Sequence, residues 1–135
     1  MEQTQWPACS LNDTDSSGYV IVLDHPLFSK ARPRMTRYGA AYMPPAYKEA
    51  QRSIRKLIIS QWGREPLSGP IGLNVKVYGE GRGDLDNIIG ALMDAANSIL
   101  WLDDRVSVIK SLSIEWEKAP RAQSRWVVQI IDRSI

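Results

Sequence analysis

Residues 71–100 read IGLNVKVYGEGRGDLDNIIGALMDAANSIL, and this stretch decides the fold. Its first eight residues alternate, with Ile71, Leu73, Val75 and Val77 set against Gly72, Asn74, Lys76 and Tyr78. Alternation at period two marks a half-buried strand, because successive side chains point to opposite faces. Gly79 to Gly83 then forms a glycine-rich turn. From Leu85 the period changes. Ile88, Ile89, Leu92, Met93, Ala96 and Ile99 recur at helical spacing, which predicts a helix from about Leu85 to Ile99. Asp84 or Asp86 is placed to cap its start, where a carboxylate also meets the positive end of the helix dipole.

The flanking segments complete a small sheet. Upstream, GYVIVL at 18–23 is short and β-branched and predicts a strand. The connection from His25 to Pro45 holds Pro26, Pro33, Pro44 and Pro45. A loop of that length is uncommon in a small domain unless it has a task. A helix is predicted from Pro45 or Ala46 to about Trp62, with Ala50, Ile54, Leu57, Ile58 and Trp62 on its apolar face. Gly63 ends it and Pro66 prevents it from resuming. Downstream, strands are predicted over Val106–Trp116 and Arg125–Ile131, with Ala119 and Pro120 in the turn between them. The order β-α-β-α-β-β implies an α+β (mixed α/β) domain, one sheet with two main helices packed against it. Trp116 and Trp126 are expected to pair across the final hairpin, and Trp101 to be buried beneath Asp103 and Asp104. Residues 1–17 are polar and unpatterned and are expected to form a flexible tail, leaving 18–135 as one domain.

Composition removes several function classes. A chain of 135 residues suits one domain with its own core. With one cysteine, Cys9, and one histidine, His25, it can form neither an intramolecular disulfide nor a Cys/His zinc site. No leader-like pattern opens the chain, and no apolar run approaches the roughly 20 residues needed to span a bilayer. A cytoplasmic protein with no membrane partner is the expectation. The net charge of +2 says little, but its distribution says more. Between Lys30 and Lys56 eight basic residues face one acid, Glu49, for a local charge of +7. The acids gather instead at Asp84, Asp86, Asp94, Asp103 and Asp104.

Such an acidic focus has a definite chemistry. Asp84 and Asp86 sit where a turn feeds a helix, and Asn87 and Asp94 share one helix face. If the strand after Asp103 and Asp104 returns beside Ile71–Tyr78, the two groups of carboxylates are expected to meet at one end of the sheet. Clustered carboxylates repel one another, and a hard divalent cation with oxygen ligands relieves the repulsion. Magnesium held by one or two carboxylates polarises a phosphodiester and presents water as a nucleophile. Singly, each of these acids also reads as a helix cap or a turn residue. The basic stretch points the same way as the acids. Lys30, Arg32, Arg34 and Arg37 share the Pro-rich loop with Tyr38 and Tyr42, and Arg52, Arg55 and Lys56 line the first helix. Arginine grips phosphates with a planar fork, and aromatic rings stack on exposed bases.

Taken together, Gly83-Asp84-Leu85-Asp86-Asn87, the helix with Asp94-Ala95-Ala96, and Trp101-Leu102-Asp103-Asp104 before a strand resemble the RusA family of Holliday-junction resolvases. Lys30-Ala31-Arg32-Pro33-Arg34 and Tyr42-Met43-Pro44-Pro45-Ala46-Tyr47 resemble the N-terminal half of the same family. The resemblance runs from about Val20 to Ile131. It implies that Asp84, Asp86 and Asp104 are the catalytic, metal-binding aspartates, with Asp103 as a further ligand and Asn87 and Asp94 in support. It also implies a homodimer that uses Mg2+ or Mn2+ to nick opposed strands of four-way or branched DNA symmetrically, acting at the nucleoid and often phage- or prophage-encoded. One departure stands out. The family carries a lysine four residues after the second aspartate of its motif, and here that position is Gly90. Arg82, Arg105 or Lys110 could supply the missing cation, with Arg82 also a candidate DNA contact. The rival expectations are a junction-binding protein with weakened catalysis and a metal-binding structural protein.

Overall fold

The computed structural model describes residues 18–132, so the N-terminal tail expected at 1–17, with Cys9, lies outside the described residues. β1 (Gly18–Leu23) leads into a long connection holding a miniature hairpin, β2 (Arg34–Met35) against β3 (Ala41–Tyr42). Then follow α1 (Pro45–Trp62), β4 (Ile71–Gly79), α2 (Leu85–Ala96), β5 (Ile109–Lys118), a 3-10 turn (Arg121–Gln123) and β6 (Arg125–Asp132). The class is α+β, with the main elements in the expected order. The hairpin is an addition, and it is made locally. Thr36 Oγ1 accepts the backbone N–H of Tyr38 and of Ala40, at 3.2 and 3.1 Å. Gly39 supplies the positive φ, 86°, that closes the turn.

The four long strands form one sheet in the order β1-β6-β4-β5. β6 lies antiparallel to both β1 and β4, whereas β5 lies parallel to β4 at the edge. The parallel pair follows from α2. A helix between two neighbouring strands returns the chain to the end of the sheet it left, so the next strand runs in the same direction. This overturns one expectation. β5 and β6 are not hairpin neighbours, and Trp116 and Trp126 flank Val77 of β4 from opposite sides.

Both helices cover one face. Leu73, Val75 and Val77 of β4 and Trp126, Val128 and Ile130 of β6 form a single buried cluster with Ile54 and Ile58 of α1 and Ile88 and Leu92 of α2. Each such side chain contributes roughly 1.5–3 kcal/mol when fully buried. α1 begins with Pro45, whose fixed φ suits a first turn, and ends at Gly63 in the left-handed conformation, φ 61°. α2 ends three residues before the expected Ile99. The cause is Trp101, which is fully buried as expected and donates its indole N–H to Asn97 Oδ1 at 2.7 Å. That bond turns the chain out of the helix, with Ser98 at φ 72°. The opposite face of the sheet carries a polar ladder, Ser113 to Asn74 to Gln129, and the buried Lys76, which pairs with Glu115 and Glu117 at 3.5 and 2.9 Å. No helix among the described residues is long and apolar enough to cross a membrane.

Candidate active site

The acids at the start of α2 stand on a rigid turn. A Cβ at Gly81 would lie 2.8 Å from the Trp116 ring, so only glycine lets this turn settle onto the indole. Trp116 in turn donates to Gly79 O at 3.2 Å. Asp84 takes the helix N-cap position in an extended conformation, φ −103° and ψ 143°, and its carbonyl accepts the N–H groups of Asn87 and Ile88 at 3.0 Å. Its carboxylate makes no capping bond. The expected cap is therefore a matter of backbone position alone, and the charge faces outward. Asp86 is exposed in the first helical turn. Among the described residues neither carboxylate has a hydrogen bond or an ion pair. Two unpaired anions this close at the positive end of a helix form an oxygen-only site suited to a hard cation.

Asp94 is in a different state. It lies two turns further along α2, where Tyr47 Oη donates to it at 3.2 Å and Lys30 Nζ pairs with it at 3.4 Å. Burial of the Tyr47 ring, followed by the charge of Asp94 and the bond to it, pushes the phenol up to about 12. Lys30 arrives from the connection after β1. Phe28 anchors that connection by edge-to-face contacts with Trp126 and Tyr47, at 5.7 and 5.9 Å, and Lys30 N–H then bonds Asn87 O at 2.8 Å. The Lys30 stem crosses α2 above Gly90, where a Cβ would meet Lys30 Cδ at 3.4 Å. The face that runs Asp86, Gly90, Asp94 thus carries a lysine after all, contributed from elsewhere in the chain. Lys30 could be expected among the DNA contacts from its charged neighbours, but no spacing in the sequence announces its place over Gly90.

Asp103 and Asp104 differ from each other. Arg105 closes on Asp103 with its backbone N–H and Nε, both at 3.0 Å from Oδ1, and with Nη2 at 2.7 Å from Oδ2. The backbone bond first, and then the guanidinium, hold the Asp103 carboxyl below its ordinary value against the opposing effect of burial. Arg105 is therefore engaged at this turn. Asp104 is exposed and has no partner among the described residues.

The two groups of acids do not meet within one chain, contrary to expectation. Asp84 and Asp86 follow the end of β4, whereas Asp103 and Asp104 precede β5, whose first residue pairs beside Ile71 at the start of β4. Leu67, next to that start, bonds Leu100 and Leu102 and fixes this second group there. The strand that lies between these two ends, β4, spans roughly 30 Å over its nine residues. The described residues accordingly hold no group of three or more Asp, Glu, His or Cys positioned to share a metal. The expectation failed because strand alternation carries no direction, and the parallel return places the acids at opposite ends of the sheet.

The basic residues divide as well. Arg32, Arg34 and Arg37 are exposed on and around the β2–β3 hairpin, with Arg37 5.9 Å from the exposed Tyr38 ring. Arg52 and Lys56 are exposed on α1. Arg55 is engaged, donating to Ala95 O at 3.0 Å across to the end of α2. Arg82 lies in the turn before Asp84 and, with Glu80 and Lys118, lines an open cleft of about 620 Å3 at that end of the sheet. Lys110 lies at the start of β5, far from Asp84.

The mixed sheet, the acid-tipped helix and the basic hairpin together describe an α+β domain of the kind that handles nucleic acid. The family model for endodeoxyribonuclease RusA matches residues 24–131. This chain belongs to the RusA endodeoxyribonuclease family, an enzyme family of Holliday-junction nucleases acting on branched DNA. No curated protein matches it individually.

Proposed function

We propose that this chain cuts four-way DNA by metal-dependent hydrolysis of the phosphodiester backbone, as a homodimer that nicks opposed strands symmetrically. The observation that carries the reading is a division among the five acids. Asp94 is paired with Lys30 and hydrogen-bonded by Tyr47, and Asp103 is paired with Arg105, while Asp84, Asp86 and Asp104 have no partner among the described residues. The three unpaired carboxylates are those that the resemblance names as catalytic, whereas Asp103, expected as a further metal ligand, is held by Arg105. Carboxylate oxygens at the positive end of a helix fit Mg2+ or Mn2+, and the bound cation would supply charge neutralisation at the scissile phosphate and acidify its water. The protein's own part is to hold the Asp84 and Asp86 oxygens on a stiff turn, with Asn87 next to them in sequence and the Lys30–Asp94 pair two turns further along α2. The exposed arginines of the hairpin, with Arg52, Lys56 and Arg82, would bind the phosphate backbone.

A second reading, junction binding with little cleavage, rests on Gly90, which brings no charge of its own. Lys30 weighs against it, since it delivers an ammonium to the same helix face. The test uses a labelled synthetic four-way junction with Mg2+ and then Mn2+, comparing wild type with Asp86→Asn. Paired symmetric nicks that disappear in the variant are expected. Tight junction binding without nicks in either metal would refute the nuclease reading in favour of the second.

A further inference from the structure

Residues 27–30, in the connection after β1, run along the glycine-rich turn and the first turns of α2 in a register set by three glycines. A Cβ at Gly79 would lie 2.7 Å from Leu27 Cδ1, one at Gly83 would lie 2.5 Å from Ser29 Oγ, and one at Gly90 would lie 3.4 Å from Lys30 Cδ. Leu27, Ser29 and Lys30 thus each occupy space that a glycine leaves open. Gly83 also has φ 88°, so a side chain there is disfavoured by the backbone as well as by Ser29. Two further contacts stop the segment from sliding. Phe28 packs edge-to-face on Trp126 and Tyr47, and the Lys30 N–H bonds Asn87 O at 2.8 Å. Leu27 is therefore set against the end of β4, Ser29 against the residue before Asp84, and Lys30 against the helical turns that follow Asp86.

Within this segment the Ser29 hydroxyl is the unused group. It is partly buried and has no partner among the described residues. A hydroxyl shielded from water and left unbonded costs stability, and an acceptor on a ligand removes that cost. Ser29 also lines an open hollow of about 270 Å3 that it shares with Arg34, the first residue of the hairpin. A strand leaving the acids in that direction meets Ser29 first and the arginines next. We propose that Ser29 belongs to the cleavage site: its hydroxyl donates to a non-bridging oxygen of the phosphate brought to Asp84 and Asp86, and residues 27–30 form the wall against which the cut strand lies. The inference rests on the nuclease reading above. Serine hydroxyls are regular contacts of DNA phosphates. At this place a neutral donor has an advantage over a charged one. An ammonium beside Asp84 would pair with the carboxylates and compete with a cation for their oxygens, whereas a hydroxyl leaves them open and still donates to phosphate.

A methyl group in place of one non-bridging oxygen tests this by binding, with the full-length chain. Four-way junctions are made with a single methylphosphonate at each phosphate around the branch, and the two diastereomers are separated. The affinities of wild type, Ser29→Ala, Ser29→Cys and Ser29→Thr are then measured. Cysteine keeps the shape of serine but is a poor donor, so two variants probe the same loss. In wild type one diastereomer at the nicked phosphate should bind about tenfold or more weakly than the other, the scale of one hydrogen bond to a charged group. That difference should vanish in Ser29→Ala and Ser29→Cys and persist in Ser29→Thr. A loosened fold would instead weaken both diastereomers alike. On the unmodified junction in Mg2+, Ser29→Ala and Ser29→Cys should nick roughly ten- to a hundredfold more slowly than wild type. A wild type that nicks, with a diastereomer difference that is absent or that these two variants keep, would overturn the role of Ser29 and leave the nuclease reading intact. A difference that vanishes in the variants while wild type makes no nicks in Mg2+ or Mn2+ would overturn the nuclease reading, and with it the place of Ser29 in a cleavage site.

Discussion

Gly90 sits in the middle of α2, and its replacement by alanine can be worked through from the structure. In a helix interior glycine costs about 0.8–1.0 kcal/mol relative to alanine, because it gives up more backbone freedom on folding. Against that gain stands the Lys30 stem. The new Cβ would lie 3.4 Å from Lys30 Cδ and 3.7 Å from its Cβ, ordinary van der Waals distances. The Lys30 side chain is 48% exposed, so its stem is free to adjust to the added methyl. Its pair with Asp94 is partly solvated and worth about 0–1 kcal/mol, of which a small shift removes little. Gly90→Ala should therefore stabilise the protein by about 0.5–1 kcal/mol, raising Tm by roughly 2–6 °C. Urea unfolding with an unchanged slope would measure it directly. If the variant is no more stable than wild type, the Lys30 stem is held more tightly than its exposure implies, and the reasoning about its freedom fails. Gly90→Lys would add a second ammonium to the same face. It should keep nicking when combined with Lys30→Ala, whereas Lys30→Ala alone should slow nicking by about tenfold or more, the scale of one well-placed cation at a developing charge.

Three further outcomes follow from other parts of the fold. Arg32, Arg34 and Arg37 are exposed, so replacing all three by alanine should flatten the dependence of log junction affinity on log salt by about 0.9 for each phosphate that the protein no longer neutralises; an unchanged slope would exclude the hairpin from DNA binding. Lys76 is buried, and although burial works against its charge, the bond to Glu117 and the charges of Tyr78, Glu115 and Glu117 hold its pKa above the ordinary value. Glu115→Gln with Glu117→Gln would strand that ammonium and should cost about 2–3 kcal/mol by denaturant unfolding, the low end for a broken buried pair because both carboxylates are more than half exposed. Tyr47 has its pKa raised from 10.0 to about 12, so its contribution is complete below pH 10 and fades as pH rises to 12. Allowing for solvent screening around the phenol, wild type should drop by about 1–2 kcal/mol across that window beyond the change seen in Tyr47→Phe, and parallel pH profiles for the two proteins would contradict the assignment.

The sequence made the elements legible wherever one physical rule governed them. Alternation in β4, helical spacing in α2, and the Pro45 and Gly63 boundaries of α1 are local statements about which face is buried and which φ is permitted. The candidate acids were legible because Asp84, Asp86, Asp103 and Asp104 are concentrated in a chain whose other half is basic. Harder to read were the features set by encounters between distant segments. Lys30 over Gly90 depends on Phe28 finding Trp126 and Tyr47. The early end of α2 depends on where Trp101 becomes buried. The engagement of Arg55 with Ala95 and of Asp103 with Arg105 ties up three charged side chains that composition alone counts as free.

The direction of β5 could have been argued from the sequence, and its consequence reaches furthest. A helix of 12 residues spans about 18 Å, enough to carry the chain back along most of a nine-residue strand of about 30 Å. A strand that follows such a helix beside the first one starts where the first one started. Acids on either side of the helix are then driven to opposite ends of the sheet, however close they lie in sequence. Because β4 and α2 are both stiff, no loop adjustment at Asp84 or Asp104 brings these groups together within one chain.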